Sequence, residues 1–358
     1  WPCLPASRRR GGEGGGGGGT KGGGGGTRHG AAAAFLRPLG APDGACACIS
    51  AIAVDALGRT VVCATPTVLK RWDVHTAEPM GDAVPHGHTG QGVVALTLDA
   101  DGSIALAGGA DGAVSCWHAE GAGGLRRAHA MTSLPVDLPA LAAANGESTS
   151  AGSRAVRALA LSEGGVAMAI WSDGRVASWA WAGGRATLRA IAGGQLGPGS
   201  SSDSSLVRAA AIGHAPSSTG GALAALVHAS SPHRFETVAL QPGTTVTPPF
   251  ARLYECAHPR PIDAIAVGSA GEAVGGGEAA WVVASASGSW LRLWSTRDGA
   301  PLASLAADAG WPFSSLSLRG SRLLSCSAPQ GVLGLHSIAA SSQRATEQCG
   351  SSPQGGSG

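Results

Sequence analysis

The side chains that could do chemistry are few and scattered. His75, His86 and His88 lie close together, with Cys46, Cys48 and Cys63 upstream. A zinc site needs four such ligands converging tetrahedrally, and Cys46-Ala-Cys48 lacks the two-residue spacer of the usual chelating pair. Packing and turn roles account for these residues better, so no metal is expected. Asp99, Asp101, Asp111 and Asp173 could be taken for paired carboxylates. They sit in Asp-Gly turn contexts, where a carboxylate accepts local backbone hydrogen bonds. The chain has no Gly-x-Ser-x-Gly elbow, no His-Glu-x-x-His and no Gly-Lys-Ser/Thr phosphate loop. No catalytic constellation emerges, no cofactor is expected, and the chain reads as non-enzymatic.

What positions these residues is one unit that the chain keeps rewriting. VVALTLDADGSIALAGGADGAVSCWH (93–118) holds three apolar runs separated by Asp-Gly turns, a β-meander that cannot bury both of its faces alone. Six first strands align: ISAIAV (49–54), VVALTL (93–98), VRALAL (156–161), VRAAAI (207–212), IDAIAV (262–267) and FSSLSL (313–318). Bulk falls at positions one, four and six and small residues at three and five, which suits sheets packed on both faces. Second strands follow a Gly-containing turn (60–65, 104–109, 166–171, 222–229, 281–287, 322–327). Third strands come next (68–73, 113–118, 175–180, 235–240, 290–295, 331–336), and four of them carry Trp72, Trp117, Trp179 or Trp294 at the fifth position. Fourth strands are irregular, expected near Glu78–Val84, Leu125–Met131, Ala186–Ala192, Ala251–Ala257 and Pro301–Leu305. The insertions 132–154 and 193–205 read as loops.

Composition bounds the rest. Gly occurs 58 times and charged residues make up only 13%. Residues 1–34 are a Gly/Arg-rich low-complexity arm carrying Arg8, Arg9, Arg10, Lys21 and Arg28 against Glu13. Such glycine runs do not repay the entropy of ordering, and residues 340–358 form a similar Gly/Ser/Pro-rich tail. The body between is near-neutral, unlike a surface built for nucleic acid. Eight scattered cysteines, several inside strand patterns, point to a reducing, intracellular compartment rather than a disulfide scaffold. The longest apolar run is far below the ~20 residues that span a bilayer. The chain starts at Trp1 rather than Met and so reads as a fragment.

Over 35–339 the repeats resemble the WD40-repeat β-propeller family. Trp72-Asp73, Gly87-His88, Asp111-Gly112 with Trp117, and Asp173-Gly174 with Trp179 carry the resemblance, extended by His258 and Trp294. It implies an all-β propeller of six recognisable four-stranded blades, with room for a seventh, closed by an N-terminal strand at Phe35–Leu39. It also implies a hydrogen-bonded tetrad in each blade: His, a turn Asp, a strand Ser/Thr and Trp. The second repeat offers His88, Asp111 and Trp117, but Ala107 stands where the hydroxyl belongs. The fifth offers His258, Ser285 and Trp294, with Gly288 in place of the turn Asp. No repeat carries all four in its expected position.

A propeller gathers equivalent residues around the mouth of its channel. The second position of the first strands holds Ser50, Val94, Arg157, Arg208, Asp263 and Ser314. Arg157 and Arg208 would suit a partner's carboxylate or phosphate, though two solvated arginines are the plainer reading. Trp171 and Trp290 are further rim candidates, with burial between blades as the plain alternative. The expected function is a scaffold that docks a protein partner on one propeller face. Two alternatives stand beside it. One is RNA association through Arg10-Gly11-Gly12 in the arm, where a bland linker is preferred. The other is a substrate receptor of a cullin-RING ubiquitin ligase, because Trp294-Ser295-Thr296-Arg297 resembles the Trp-Asp-x-Arg ending of such proteins with Ser295 in the acidic place.

Overall fold

The computed structural model describes residues 49–119, 124–127, 155–162, 166–180, 189–195, 207–214, 222–240, 252–255, 258, 260–269, 281–296, 299–306, 312–319, 322–327 and 332–337. All lie within the unit Ala31–Gly358. The arm, the expected closing strand at Phe35–Leu39, the insertion 132–154 and the tail fall outside the described residues.

Six antiparallel sheets follow one another along the chain. The first is β1 (Ala51–Val54), β2 (Thr60–Ala64), β3 (Val68–Asp73) and β4 (Val84–Pro85). The second is β5 (Val93–Leu98), β6 (Ile104–Gly109), β7 (Val114–Ala119) and β8 (Leu125–Arg127). The third is β9 (Val156–Leu161), β10 (Val166–Trp171), β11 (Arg175–Ala180) and β12 (Arg189–Gln195). The fourth is β13 (Val207–His214), β14 (Ala222–His228), β15 (Arg234–Leu240) and β16 (Arg252–Glu255). The fifth is β17 (Ala264–Ser269), β18 (Trp281–Ser287), β19 (Trp290–Ser295) and β20 (Pro301–Ala306). The sixth is β21 (Ser315–Arg319), β22 (Arg322–Ser327) and β23 (Val332–Ser337), three strands among the described residues. Each pairs its strands in sequence order, as a meander must.

The sheets close into a ring. Each first strand packs against the first strand of the sheets before and after it, and β1 packs against β21. Six apolar clusters fill the six gaps between neighbouring sheets, including one that joins Ile52, Val54 and Cys63 to Leu324, Cys326 and Leu333. The backbone N–H of Val54 also donates to Ser317 Oγ at 3.4 Å across that last gap. The described residues therefore form a β-propeller of six blades in which the first and sixth are neighbours.

The alternation of bulk in the first strands has a direction. Each sends its bulky residues into the preceding gap and its small ones into the following gap. Ile265 and Val267 pack towards the fourth blade, whereas Ala264 and Ala266 face the sixth. Val156, Leu159 and Leu161 face the second blade, and Ala158 and Ala160 face the fourth. Small residues are obligatory where the next blade's bulk arrives: a Cβ on Gly268 would lie 2.8 Å from Leu318 Cγ. Interiors packed to this density leave no room for an added methyl group.

The outer strands depart from the sequence reading. Fourth strands pack on fewer neighbours, so the apolar pattern that marks the inner strands is weak in them. The first blade's outer strand shrinks to Val84–Pro85, preceded by an isolated Trp72–Pro79 bridge, because proline cannot donate to the ladder. In the third blade β12 runs on to Gln195, so 193–195 belong to a strand and not to the expected loop.

Candidate functional site

The channel mouth is built by backbone irregularity. In the second, third and fourth blades the first strand skips a partner at its second position. Val93 pairs with Gly109 and Ala95 with Gly108, leaving Val94 bulged out. Arg157 is skipped between Val156 and Ala158, and Arg208 between Val207 and Ala209. In the other three blades the same residue donates to a carbonyl whose ladder partner is the next residue: Ser50 to Ala64, Asp263 to Ala286, Ser314 to Cys326. A bulge re-aims a side chain out of the pleat. All six second-position residues line one central cavity of about 460 Å³.

These residues differ in what they already hold. Ser50 and Ser314 donate their hydroxyls to Ala64 O and Cys326 O, at 3.2 Å each. Asp263 accepts from Gly288 N–H at 3.2 Å and from Arg208 Nη2 at 2.8 Å, so the Arg208 charge is matched. Arg157 has no acidic partner among the described residues, and its Nε is buried without a hydrogen bond. Burial lowers its pKa, with no compensating charge beside it. Trp290 stands at the same end, first in its strand after the turn that Asp263 ties down, and is 44% exposed. Trp171 ends its strand at this face too but is only 3% exposed, and its Nε1 donates to Gly112 O of the second blade at 3.0 Å. That bond fixes it between blades and away from solvent.

The opposite end of the channel is crossed by one side chain. Arg319, at the end of the sixth blade's inner strand, donates from Nη2 to Leu98 O at 2.5 Å and to Leu161 O at 3.3 Å. It thereby ties the sixth blade to the second and third. Sequence reading missed it, although the position after each aligned first strand reads Asp55, Asp99, Ser162, Gly213, Gly268 and Arg319, with a single long cation.

The expected tetrad residues hold the blades together. In the second blade His88 Nδ1 lies 3.1 Å from Asp111 Oδ1, and Nε2 lies 2.8 Å from Ser115 Oγ. Trp117 Nε1 donates to the same oxygen at 3.0 Å. A carboxylate only accepts, so Nδ1 is the donor to Asp111. This tetrad is complete, contrary to the sequence reading. Ser115 is the ladder partner of Ala107, so its hydroxyl occupies the same face from the neighbouring strand. Burial pushes the Asp111 carboxyl up, but the N–H groups of Thr89 and Ala113 and the His88 ring outweigh it and hold it below the usual range.

The other blades carry parts of this arrangement. In the fifth, Trp294 Nε1 donates to Ser285 Oγ at 2.7 Å and His258 Nε2 lies 2.9 Å from it. The turn there has two residues, Gly288-Ser289, with Gly288 at φ 55° as a tight hairpin requires. The second blade's turn has three, Ala110–Gly112, so the fifth lost the aspartate along with a residue. His258 Nδ1 is consequently buried without a partner. Burial, then the charges of Arg292 and His233, push its pKa down to about 4. In the sixth blade His336 Nε2 lies 2.8 Å from Ser325 Oγ. Ser325 pairs with Gly334, which puts His336 in the tryptophan's place, one residue later than the sequence alignment had set it. The third blade has alanine on both strands, Ala169 opposite Ala177, and Trp179 Nε1 is buried without a hydrogen bond. Asp173 there accepts from Arg175 N–H at 3.1 Å. In the first blade Cys63 faces Lys70, whose Nζ sits 5.2 Å from the Trp72 ring centroid. Asp73 accepts from His75 and Thr76 N–H groups at 2.8 and 2.9 Å, a turn role.

His86, beside His88 in sequence, is engaged by the backbone. His86 Nε2 lies 3.2 Å from Thr65 O, and its Nδ1 accepts from His88 N–H at 3.0 Å. Among the described residues no three His, Cys, Asp or Glu side chains group as metal ligands. No described helix is long and apolar enough to cross a membrane.

No protein-family model matches the chain, and no curated protein matches it. Among solved structures it is similar to the β-propeller domain of Cps50 (Swd1) from Myceliophteria thermophila. The identity is 13%, the TM-score 0.49, and the likeness covers 81% of this chain and 83% of that one. A likeness of that degree says nothing of partners. The chain's own ring of blades, with its His-Ser-Trp bonds, has the architecture of a WD40-type β-propeller.

Proposed function

We propose that this protein is a non-catalytic interaction scaffold that docks a segment of a protein partner at the bulge-lined mouth of its channel. The observation that supports the reading is the convergence of all six second-position residues on one cavity, three of them on bulges, with Arg157, Arg208 and Asp263 among them and Trp290 beside the turn that Asp263 ties down. Repetition of an irregularity that the ladder does not need marks it as a feature of the site. An exposed tryptophan beside a ring of polar groups has the composition of an interaction hot spot. A pull-down from cell extract should compare the parent with Arg157→Glu/Arg208→Glu and with Leu57→Glu, at an exposed residue outside the mouth. Partners retained by Leu57→Glu and lost from the double variant support the reading. Identical partner sets in all three overturn it.

A further inference from the structure

We infer that the channel mouth captures one carboxylate side chain of the docked segment, and that Arg157 is the group that receives it. This rests on the docking reading above and adds the chemistry of the ligand. Of the six mouth residues, the two serines are bonded to backbone carbonyls and Arg208 is paired with Asp263. Val94 carries no charge, so Arg157 is the one of these six whose charge is unmatched among the described residues. Of the charged groups that line the cavity, Arg208 is matched by Asp263 and Arg319 bonds backbone carbonyls at the far end, which leaves Arg157 as the open guanidinium at the mouth. A carboxylate's single charge matches the one guanidinium left open there. The planar guanidinium matches a carboxylate's two oxygens, and a partly desolvated pair of this kind gains more than a solvated one.

The far end sets the direction of approach. Arg319 bonds two carbonyls across the channel, so the 460 Å³ cavity is a well with its docking mouth at the Arg157 end. Its lining mixes small residues such as Ala209 and Ala211 with the hydroxyls of Thr97, Ser315 and Ser317, and Arg157 is the open charge among them at the mouth.

The test pans a random peptide library displayed on phage against the full chain, then measures synthetic peptides in solution. Enriched peptides should share an acidic residue, and its replacement by the amide (Glu→Gln or Asp→Asn) should weaken binding by about tenfold or more. On Arg157→Gln the acidic peptide should bind no better than its amide form binds the parent, and the amide change should then cost less than about twofold. Arg157→Lys should restore part of the difference, and unchanged thermal unfolding should show that the variants are folded. Peptides that lose binding to Val94→Arg, which fills the mouth, but need no acidic residue would overturn the carboxylate and leave docking standing. Peptides indifferent to both Val94→Arg and Arg157→Gln, or no enrichment at all, would overturn both.

Discussion

The second and fifth blades solve the same packing problem with different completeness. In both, a tryptophan indole and a histidine ring share one serine hydroxyl in a buried layer. In the second blade the far side of the ring is also held, by Asp111 from a three-residue turn. In the fifth the turn is one residue shorter and the ring's other nitrogen faces nothing that bonds it. The hydroxyl has changed strands between them, Ser115 on the third and Ser285 on the second, without moving from its face. Geometry at the layer is thus what the fold requires, and the residue that supplies it is free to vary.

Removing the hydroxyl separates the two blades most strongly. Ser285→Ala leaves the Trp294 N–H and the His258 ring without their one shared partner, at a cost of roughly 3 kcal/mol for two buried orphans. Ser115→Ala strips the corresponding two nitrogens, but Asp111 still holds the His88 ring and the site is only partly buried, so it should cost less, about 2 kcal/mol. Equilibrium urea unfolding of both variants beside the parent gives the ranking, and an equal or reversed order would remove the distinction drawn here.

A pH series tests the stranded ring next. His258 is neutral in the folded blade, with its pKa pushed down to about 4, while the unfolded chain takes up the proton near pH 6.5. Between those values the unfolded state binds more protons, so stability falls as the pH drops through 6.5 and levels off below about 4. At pH 5 the loss from this one ring amounts to about 2 kcal/mol. His258→Gln should flatten that part of the parent's profile, although His86 and His336, also pushed down by burial, keep some slope. A His258→Gln profile that overlays the parent's would show that the buried nitrogen does not matter.

How much of this the sequence disclosed depends on how locally each feature is determined. The inner strands were legible because packing on both faces imposes a period on them, as in the alternation of Ile265 and Val267 with Ala264 and Ala266. The mouth was legible because equivalent positions in a ring converge, so aligning Arg157 with Arg208 and Asp263 already grouped them. The tetrad was only half legible. Looking for its hydroxyl on the second strand missed Ser115, because pairing with Ala107 is a matter of register; a serine two residues before Trp117 was the available signal. Register also placed His336, not Leu335, opposite the hydroxyl layer. Arg319 reaches carbonyls more than 150 residues away in sequence, and no local pattern encodes that span. Trp171 was offered to a partner and is spent inside the ring on Gly112, a contact between blades that one repeat read alone does not contain.

The third blade offers the smallest and sharpest trial of the comparison. Its Trp179 Nε1 is buried without a hydrogen bond, and the two positions that supply the hydroxyl in the other blades are Ala169 and Ala177, directly opposite each other. If the layer and not the strand is what counts, either Ala169→Ser, as in the fifth blade, or Ala177→Ser, as in the second, should satisfy the indole. Each should stabilise the protein by about 1 kcal/mol, the net worth of one added hydrogen bond. The added oxygen is smaller than a methyl group in a layer that already holds a serine elsewhere in the ring, so overpacking should not reverse the sign. Val176→Ser, at a neighbouring buried position on the other face of the same strand, is the control and should destabilise. If only one of the two alanine sites stabilises, the strand matters after all, and the equivalence of Ser115 and Ser285 is an accident of two blades.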